Sequence, residues 1–365
     1  MNRKVRAAVV VGESKMAIRE FDYPVIGSED GLLRVEMVGV CGTDPKFYSG
    51  EVKVAPFPLI LGHEVLGWIE EIGDLAAQRW KVKKGDRVVV DSCIRCGYCN
   101  RCITGDYRFC EKGWSYGSRI SASIPPHLWG GYSEFMYLPP GAVVYKVADS
   151  VPATAGILIQ AVMANAIRWG RKAGNFSVSD AVLIQGVGQQ GLALTIIARE
   201  SGCNPIIVAG LSRDEERFCL AREFGADFTI DIEKEDLIKC VTEITNGEMA
   251  DVVVDVAPSP RSIIQAVETV REQGTVVLPT VLGSEVTTSL VTDKIVFRDI
   301  TIVGQFTSDA RTVPKAIKLV ESGRYPVERI VSHTFSLDEA ETAVLAAGGY
   351  LDNVYPIKCA IIPTD

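Results

Sequence analysis

Five cysteines crowd one stretch of the chain: Cys93, Cys96, Cys99 and Cys102 at three-residue steps, then Cys110. Thiols this dense either pair as disulfides in a secreted protein or converge on a metal ion. Cys96-x-x-Cys99-x-x-Cys102-x7-Cys110, in a loop that contains glycine, offers four soft ligands and leaves no position open, which suits a structural tetrahedral zinc. The fold must therefore let this loop close around one ion, whatever else it does. Cys93 extends the ladder as a spare. Cys203, Cys219, Cys240 and Cys359 lie scattered in apolar or helical contexts and read as small buried hydrophobes.

With 365 residues, 47% of them hydrophobic and 23% charged, the chain has enough apolar surface for two domains, each with its own core, and too much for a disordered chain. The 38 basic residues against 46 acidic give a net charge of −8, which disfavours nucleic acid as the partner. No apolar run approaches the ~20 residues of a membrane span. The start, Met1-Asn2-Arg3-Lys4, leads into a strand-like run rather than a cleavable leader. A cytoplasmic protein with a small-molecule partner, no nucleic acid and no membrane is the expectation.

The first part reads as β-rich, with short β-branched runs at Ala7 to Val11, Leu32 to Val40, Val65 to Ile72, Arg87 to Val90 and Tyr132 to Tyr137. Their spacing between glycines and prolines suggests a barrel-like body. Near Val151 the texture changes. Strand-like Ala181 to Ile184, Pro205 to Val208, Asp251 to Val256 and Thr275 to Leu278 alternate with helical Gln190 to Ser201, Arg213 to Phe224 and Arg261 to Val270. That alternation predicts a doubly wound parallel sheet with helices on both faces. After about Gly304 two helical stretches, Val313 to Ser322 and Leu337 to Ala347, precede a last apolar run, Ile357 to Ile362. This tail is too short for a domain and is expected to pack back on the first, so that the parallel domain is an insertion. The boundaries read as 1–161 with 305–365, and 162–304.

Gln185-Gly186-Val187-Gly188-Gln189-Gln190-Gly191 follows the first strand of that domain and opens its first helix. In this context Gly186, Gly188 and Gly191 form a dinucleotide turn, where the backbone approaches a pyrophosphate at a helix N-terminus. At the end of the second strand, Gly210 occupies the slot that commonly holds the acid for the ribose diol. Arg213 can pair with a 2′-phosphate, but Asp214, Glu215 and Glu216 follow and oppose one. Ser212 with Glu215 also fits a capping box for the next helix. NAD(P) is the expected cofactor, and the balance between its two forms, left open, tilts to NAD.

A second group of metal-ligand types stands at Cys41-Gly42-Thr43-Asp44 and Gly62-His63-Glu64. Thiolate, imidazole and carboxylate are the donors of a catalytic zinc that keeps one position exchangeable. Together with Lys84-Gly85-Asp86-Arg87-Val88, the four-cysteine loop and the dinucleotide turn, these motifs resemble the zinc-dependent medium-chain alcohol dehydrogenases, on their sorbitol and polyol side. Gly62-His63-Glu64 through Gly67 matches the family's Gly-His-Glu-x-x-Gly signature. The stretches Pro126 to Tyr132 and Tyr137 to Gly141 resemble a subgroup that includes dehydrogenases of cyclic secondary alcohols.

The resemblance implies a GroES-like β-barrel catalytic domain with an inserted Rossmann domain, and a homo-dimer or homo-tetramer. It implies two zinc ions per chain, one held by Cys41 and His63, the other by Cys96, Cys99, Cys102 and Cys110. Thr43 would bond the substrate's alcohol oxygen, and Asp44 would orient His63 from behind. Two positions depart from the family. Lys46 replaces the histidine that commonly relays protons to solvent, with Tyr48 nearby, and neutral Gln160 stands where an acid or cysteine is usual. Cys41 supplies one negative charge and His63 none, so Glu64 is expected to bind zinc directly while Gln160 bonds the neighbouring water. Phe47, Tyr48, Trp114 and Trp129 are candidates to line an apolar pocket. The expected function is hydride transfer between a secondary alcohol, cyclic ones included, and NAD(P). The alternatives are a lyase or epimerase that oxidises transiently, and a non-catalytic binder that keeps only the loop zinc.

Overall fold

Valine, isoleucine and alanine runs, broken by glycine and proline, give the strands of the first unit their buried faces. The computed structural model describes residues 3–53, 55–283 and 285–363, so Met1 and Asn2 of the leader reading lie outside it. The chain divides into two units, Met1–Ala161 with Asp309–Asp365, and Val162–Ser308. The chain returns to the first unit at Asp309, a few residues beyond the position read from sequence.

In the first unit, strand Lys4–Gly12 pairs antiparallel with Lys15–Asp22 and with the short Leu59–Ile60. A second, seven-stranded sheet centres on Gly31–Gly39, which pairs with Glu64–Ile72 and Phe135–Leu138. The tail joins this sheet. Strand Cys359–Ile362 sets Ala360 opposite Gly39 and Ile361 opposite Val38, and His333–Ser336 pairs parallel beside it. Both ends of the chain thus feed one core, in which Val9, Leu33, Val38, Ile60, Val65, Tyr132, Val344 and Ile361 are buried together. Truncating Leu33, Ile60 or Ile361 to alanine costs about 2–5 kcal/mol.

In the second unit six parallel strands take the order Phe228–Asp231, Ile206–Gly210, Val182–Gln185, Ala250–Asp255, Val270–Leu278, Thr301–Gly304. Numbered within the unit, this is 3-2-1-4-5-6, the doubly wound order of a Rossmann sheet. Its core holds Leu183, Ile207, Ile230, Val241, Val253 and Val276. Sequence periodicity misses strands Lys15–Asp22, Phe228–Asp231, Thr301–Gly304 and His333–Ser336, because each is largely exposed or part-buried and lacks a continuous apolar face. Helix Glu215–Glu223 starts later than expected, behind a 3₁₀ turn at Ser212–Asp214. Among the described residues no helix is long and apolar enough to cross a membrane.

Candidate active site and metal centres

The four-cysteine loop closes around one point. Cys96 and Cys102 stand 3.9 Å apart through their sulfurs, and Cys99 and Cys110 4.0 Å apart. Four Zn–S bonds of about 2.3 Å in a tetrahedron give edges of about 3.8 Å, so the spacing fits. The N–H groups of Cys96 and Cys99 point at the sulfurs of Cys110 and Cys96, at 3.4 and 3.3 Å, and stabilise them as thiolates. Cys93 stands out of the cluster with its sulfur against Ser92 Oγ. Burial and the adjacent Asp91 push its thiol up to about 12, so it stays protonated.

Cys41, His63 and Glu64 converge with their ligand atoms within 4.8 Å of one another; among the described residues this trio and the cysteine loop are the two groups able to hold a metal. The convergence follows from the sheet. Gly39, two residues before Cys41, is the register partner of Glu64, so the strand end and the strand start meet. A Cβ on Gly39 would collide with the Glu64 carboxylate, which makes glycine necessary there. Glu64 is buried; its Oε2 accepts from Lys358 Nζ, also buried, while Oε1 has no hydrogen-bond partner. A buried carboxylate oxygen without a partner costs several kcal/mol unless a cation completes it. Burial works against a charged imidazole, but Cys41, Asp44 and Glu64 outweigh it and hold the pKa of His63 up at about 10. The donor set, the orphaned oxygen and the surplus of negative charge all fit a divalent ion of the zinc type.

Behind the trio, Asp44 opens the short helix Asp44–Tyr48 and is fully buried. Its Oδ2 accepts from Cys41 N–H and from the Tyr132 hydroxyl, each at 2.9 Å. Its Oδ1 lies 3.7 Å from His63 Nδ1, an ion-pair separation rather than a hydrogen bond. Burial pushes the Asp44 carboxyl above the usual range against the pull of His63 and these donors. Thr43 precedes that helix, with its carbonyl accepting from Lys46 and Phe47 N–H at 3.1 Å. Lys46 pairs with Glu51 at 3.4 Å. Gln160 is buried on a π-helical turn, Ile159–Met163, a local irregularity common at functional sites.

Two aromatic candidates belong to the core instead. Tyr48 donates its hydroxyl to Glu341 at 2.6 Å, and Trp129 donates Nε1 to the Ile124 carbonyl at 2.8 Å while packing edge-on against Tyr137. Phe47 packs part-buried on the same core, and Trp114 is half-exposed, edge-on to Trp129. Lys358 and Tyr132 escaped the sequence reading. The available signal was a single lysine inside the apolar run Ile357 to Ile362.

At the dinucleotide turn, Gly186 takes φ +98° between strand Val182–Gln185 and helix Gln189–Ser201, and a Cβ on Gly191 would strike the Gly186 carbonyl. A Cβ on Gly188 would meet no protein atom within 4 Å, the open backbone that a pyrophosphate needs at a helix N-terminus. Gly210 is glycine for packing: a Cβ would lie 2.7 Å from Val187 Cγ1 and 3.0 Å from the Phe218 ring. The capping box expected of Ser212 and Glu215 is absent. Asp214 caps the turn instead, its Oδ2 accepting from Leu211 N–H at 3.0 Å, because the Ser212 hydroxyl is turned to Asp231.

Comparison with known proteins agrees with this architecture. Residues 27–149 match the alcohol dehydrogenase GroES-like domain, and residues 191–322 the zinc-binding dehydrogenase domain. A probable alcohol dehydrogenase of Mycobacterium tuberculosis is 36% identical, over 98% of each chain. An erythritol/L-threitol dehydrogenase of Mycolicibacterium smegmatis is 30% identical, over 99% of this chain and 98% of its own. The crystal structure of an alcohol dehydrogenase from Thermotoga maritima superposes with a TM-score of 0.89 at 26% identity, over 99% of this chain and all of that one. The chain belongs to the zinc-dependent medium-chain alcohol dehydrogenase family. Its activity is that of an NAD(P)-dependent alcohol dehydrogenase acting on small molecules.

Proposed function

We propose that the chain interconverts secondary alcohols and ketones with NAD, using two zinc ions, one at Cys41, His63 and Glu64 and one at Cys96, Cys99, Cys102 and Cys110. The observation that carries the catalytic site is the buried, unpartnered Glu64 Oε1 beside Cys41 and His63. When bound, zinc supplies Lewis acidity toward the substrate oxygen and the nicotinamide ring exchanges the hydride. Thr43 holds the proton of the substrate hydroxyl, and Lys46 with Glu51 leads toward solvent in place of the usual histidine. Asp44, gripped by Cys41 N–H and Tyr132, fixes the charge behind His63. Gln160 orients the oxygen beside the metal without binding it. Gly186, Gly188 and Gly191 seat the pyrophosphate.

The free state of all ten cysteines supports a reducing, cytoplasmic setting. The open edge strand Thr301–Gly304, with exposed Phe297 and Phe306 flanking it in sequence, supports a homo-dimer or homo-tetramer. The deciding experiment is a panel of secondary alcohols and ketones with each dinucleotide, read by nicotinamide absorbance, beside metal analysis. Two zincs per chain and net turnover are expected. One zinc and no turnover would leave a binding protein, and product formed without net absorbance change would point to transient oxidation.

A further inference from the structure

Strand Ile206–Gly210 ends without the acid that ordinarily receives the ribose diol of NAD. Packing forbids one there, since Val187 and Phe218 fill the space beside Gly210. The neighbouring strand Phe228–Asp231 runs parallel, and its register sets Asp231 directly beside Gly210. The missing acid therefore stands one strand over, at the same level of the sheet.

From there the loop after Asp231 reaches the turn after Gly210. The Ser212 hydroxyl donates to Asp231 Oδ2 at 2.7 Å, and Ser212 N–H donates to Glu233 Oε2 at 2.8 Å. Leu211 N–H is already held by Asp214. A phosphate bound at such a turn needs backbone and hydroxyl donors. These three are all taken by carboxylates. With its proton committed to Asp231, the Ser212 hydroxyl presents lone pairs outward, which suits a ribose 2′-hydroxyl as donor and repels a 2′-phosphate.

The surrounding charge points the same way. Residues 213–217 and 231–235 carry Arg213, Arg217 and Lys234 against six carboxylates, a net of −3, which Arg222, paired with Glu215 at 3.5 Å, brings to −2. Lys234 pairs with Asp231 at 2.7 Å and Arg217 with Asp214 at 2.8 Å. Lys234 and the Ser212 hydroxyl also hold the Asp231 carboxyl below its usual range, so it stays ionised. We infer that Asp231 and Glu233, acting through Ser212, select NAD over NADP, replacing the acid that Gly210 lacks. The inference rests on the dinucleotide site proposed above and not on the zinc chemistry.

The test is nucleotide binding by the full chain, followed by fluorescence of NADH and NADPH with no substrate present. Wild type should bind NADH at least about ten-fold more tightly than NADPH, because the turn keeps a net negative charge and its donors are taken. Asp231→Asn with Glu233→Gln should bring the ratio down by about ten-fold, chiefly by strengthening NADPH. Glu233→Gln alone, on an exposed loop, should move it the same way by less, and Asp231→Glu should restore most of the preference. If Asp231 merely held the loop in place, melting temperature would fall and the ratio would stay. An unmoved ratio in Glu233→Gln and in the folded double variant, or equal binding of both nucleotides by wild type, overturns the inference. Failure to bind either nucleotide overturns it together with the dinucleotide site. Tight NADH binding without alcohol turnover strikes only the proposed reaction, and the ratio still decides the selection.

Discussion

Lys358 changes the charge balance of the catalytic trio. A zinc ion with Cys41, Glu64 and Asp44 as anions and Lys358 as a cation sums to zero, whereas His63 adds nothing when neutral. The lysine also divides the work of the Glu64 carboxylate, holding Oε2 and leaving Oε1 for metal. Lys358→Met should therefore cost about 3–5 kcal/mol in metal-free protein, where Glu64 is left buried without a partner. Zinc should recover a large part of that loss, because the ion takes over the carboxylate. Urea denaturation with and without chelator checks this, and equal losses in both would mean that Glu64 does not touch zinc. Glu64→Gln should weaken the catalytic zinc by about ten-fold or more, while Gln160→Ala should leave it bound and slow turnover. Thr43→Val should cut turnover by about two to four orders of magnitude, the range for a lost proton-transfer group. Steady-state rates decide, and near-normal turnover would remove Thr43 from the proton path.

At the scale of elements, each metal and cofactor site hangs on a strand end, and how much of it was legible depends on what holds that end. The cysteine loop is local, so spacing alone located it. Cys99→Ser should release about one zinc per chain and lower stability while the other zinc stays, whereas Cys93→Ser should release none; metal analysis of the two variants tests the pair. The turn from Gly186 to Gly191 was equally legible, since strand, glycines and helix are contiguous. The Glu64–Lys358 and Ser212–Asp231 contacts were not, because strand order and register set them and neither is written in local periodicity. Asp255, at the end of strand Ala250–Asp255, makes local contacts instead. Its carboxylate accepts from Ser262 at 2.8 Å and from Ala257 N–H at 3.1 Å, tying the strand to helix Pro260–Thr269. Burial raises its pKa from 3.8 to about 6 against those two donors. The folded state then binds more protons than the unfolded between about pH 4 and 6, so Asp255 makes stability fall as pH rises through that window. Relative to Asp255→Asn, wild type should lose about 2 kcal/mol between pH 4 and 7. A pH-independent difference in denaturation free energy between the two proteins would show an ordinary carboxylate.

At the scale of the molecule, the chain spends both ends on one unit and its middle on the other. The first core gathers residues from Ala7 to Ile361, and the second draws only on residues between Leu183 and Ile302. This closure by the tail is what brings Lys358 to Glu64, so the pairing of that carboxylate depends on the docking of the last strand. Each core would have its own ligand under the proposed function: the zincs in the first and the dinucleotide in the second. A ligand stabilises the unit that binds it by mass action, about 2.7 kcal/mol at a concentration of 100 Kd. Calorimetry should therefore resolve two transitions, one lowered by chelator and the other raised by NADH. Ile361→Asp, which buries a charge in the first core, should abolish the chelator-sensitive transition and leave the NADH-sensitive one near its place. A single transition moved equally by chelator and by NADH would show instead that the two cores unfold together.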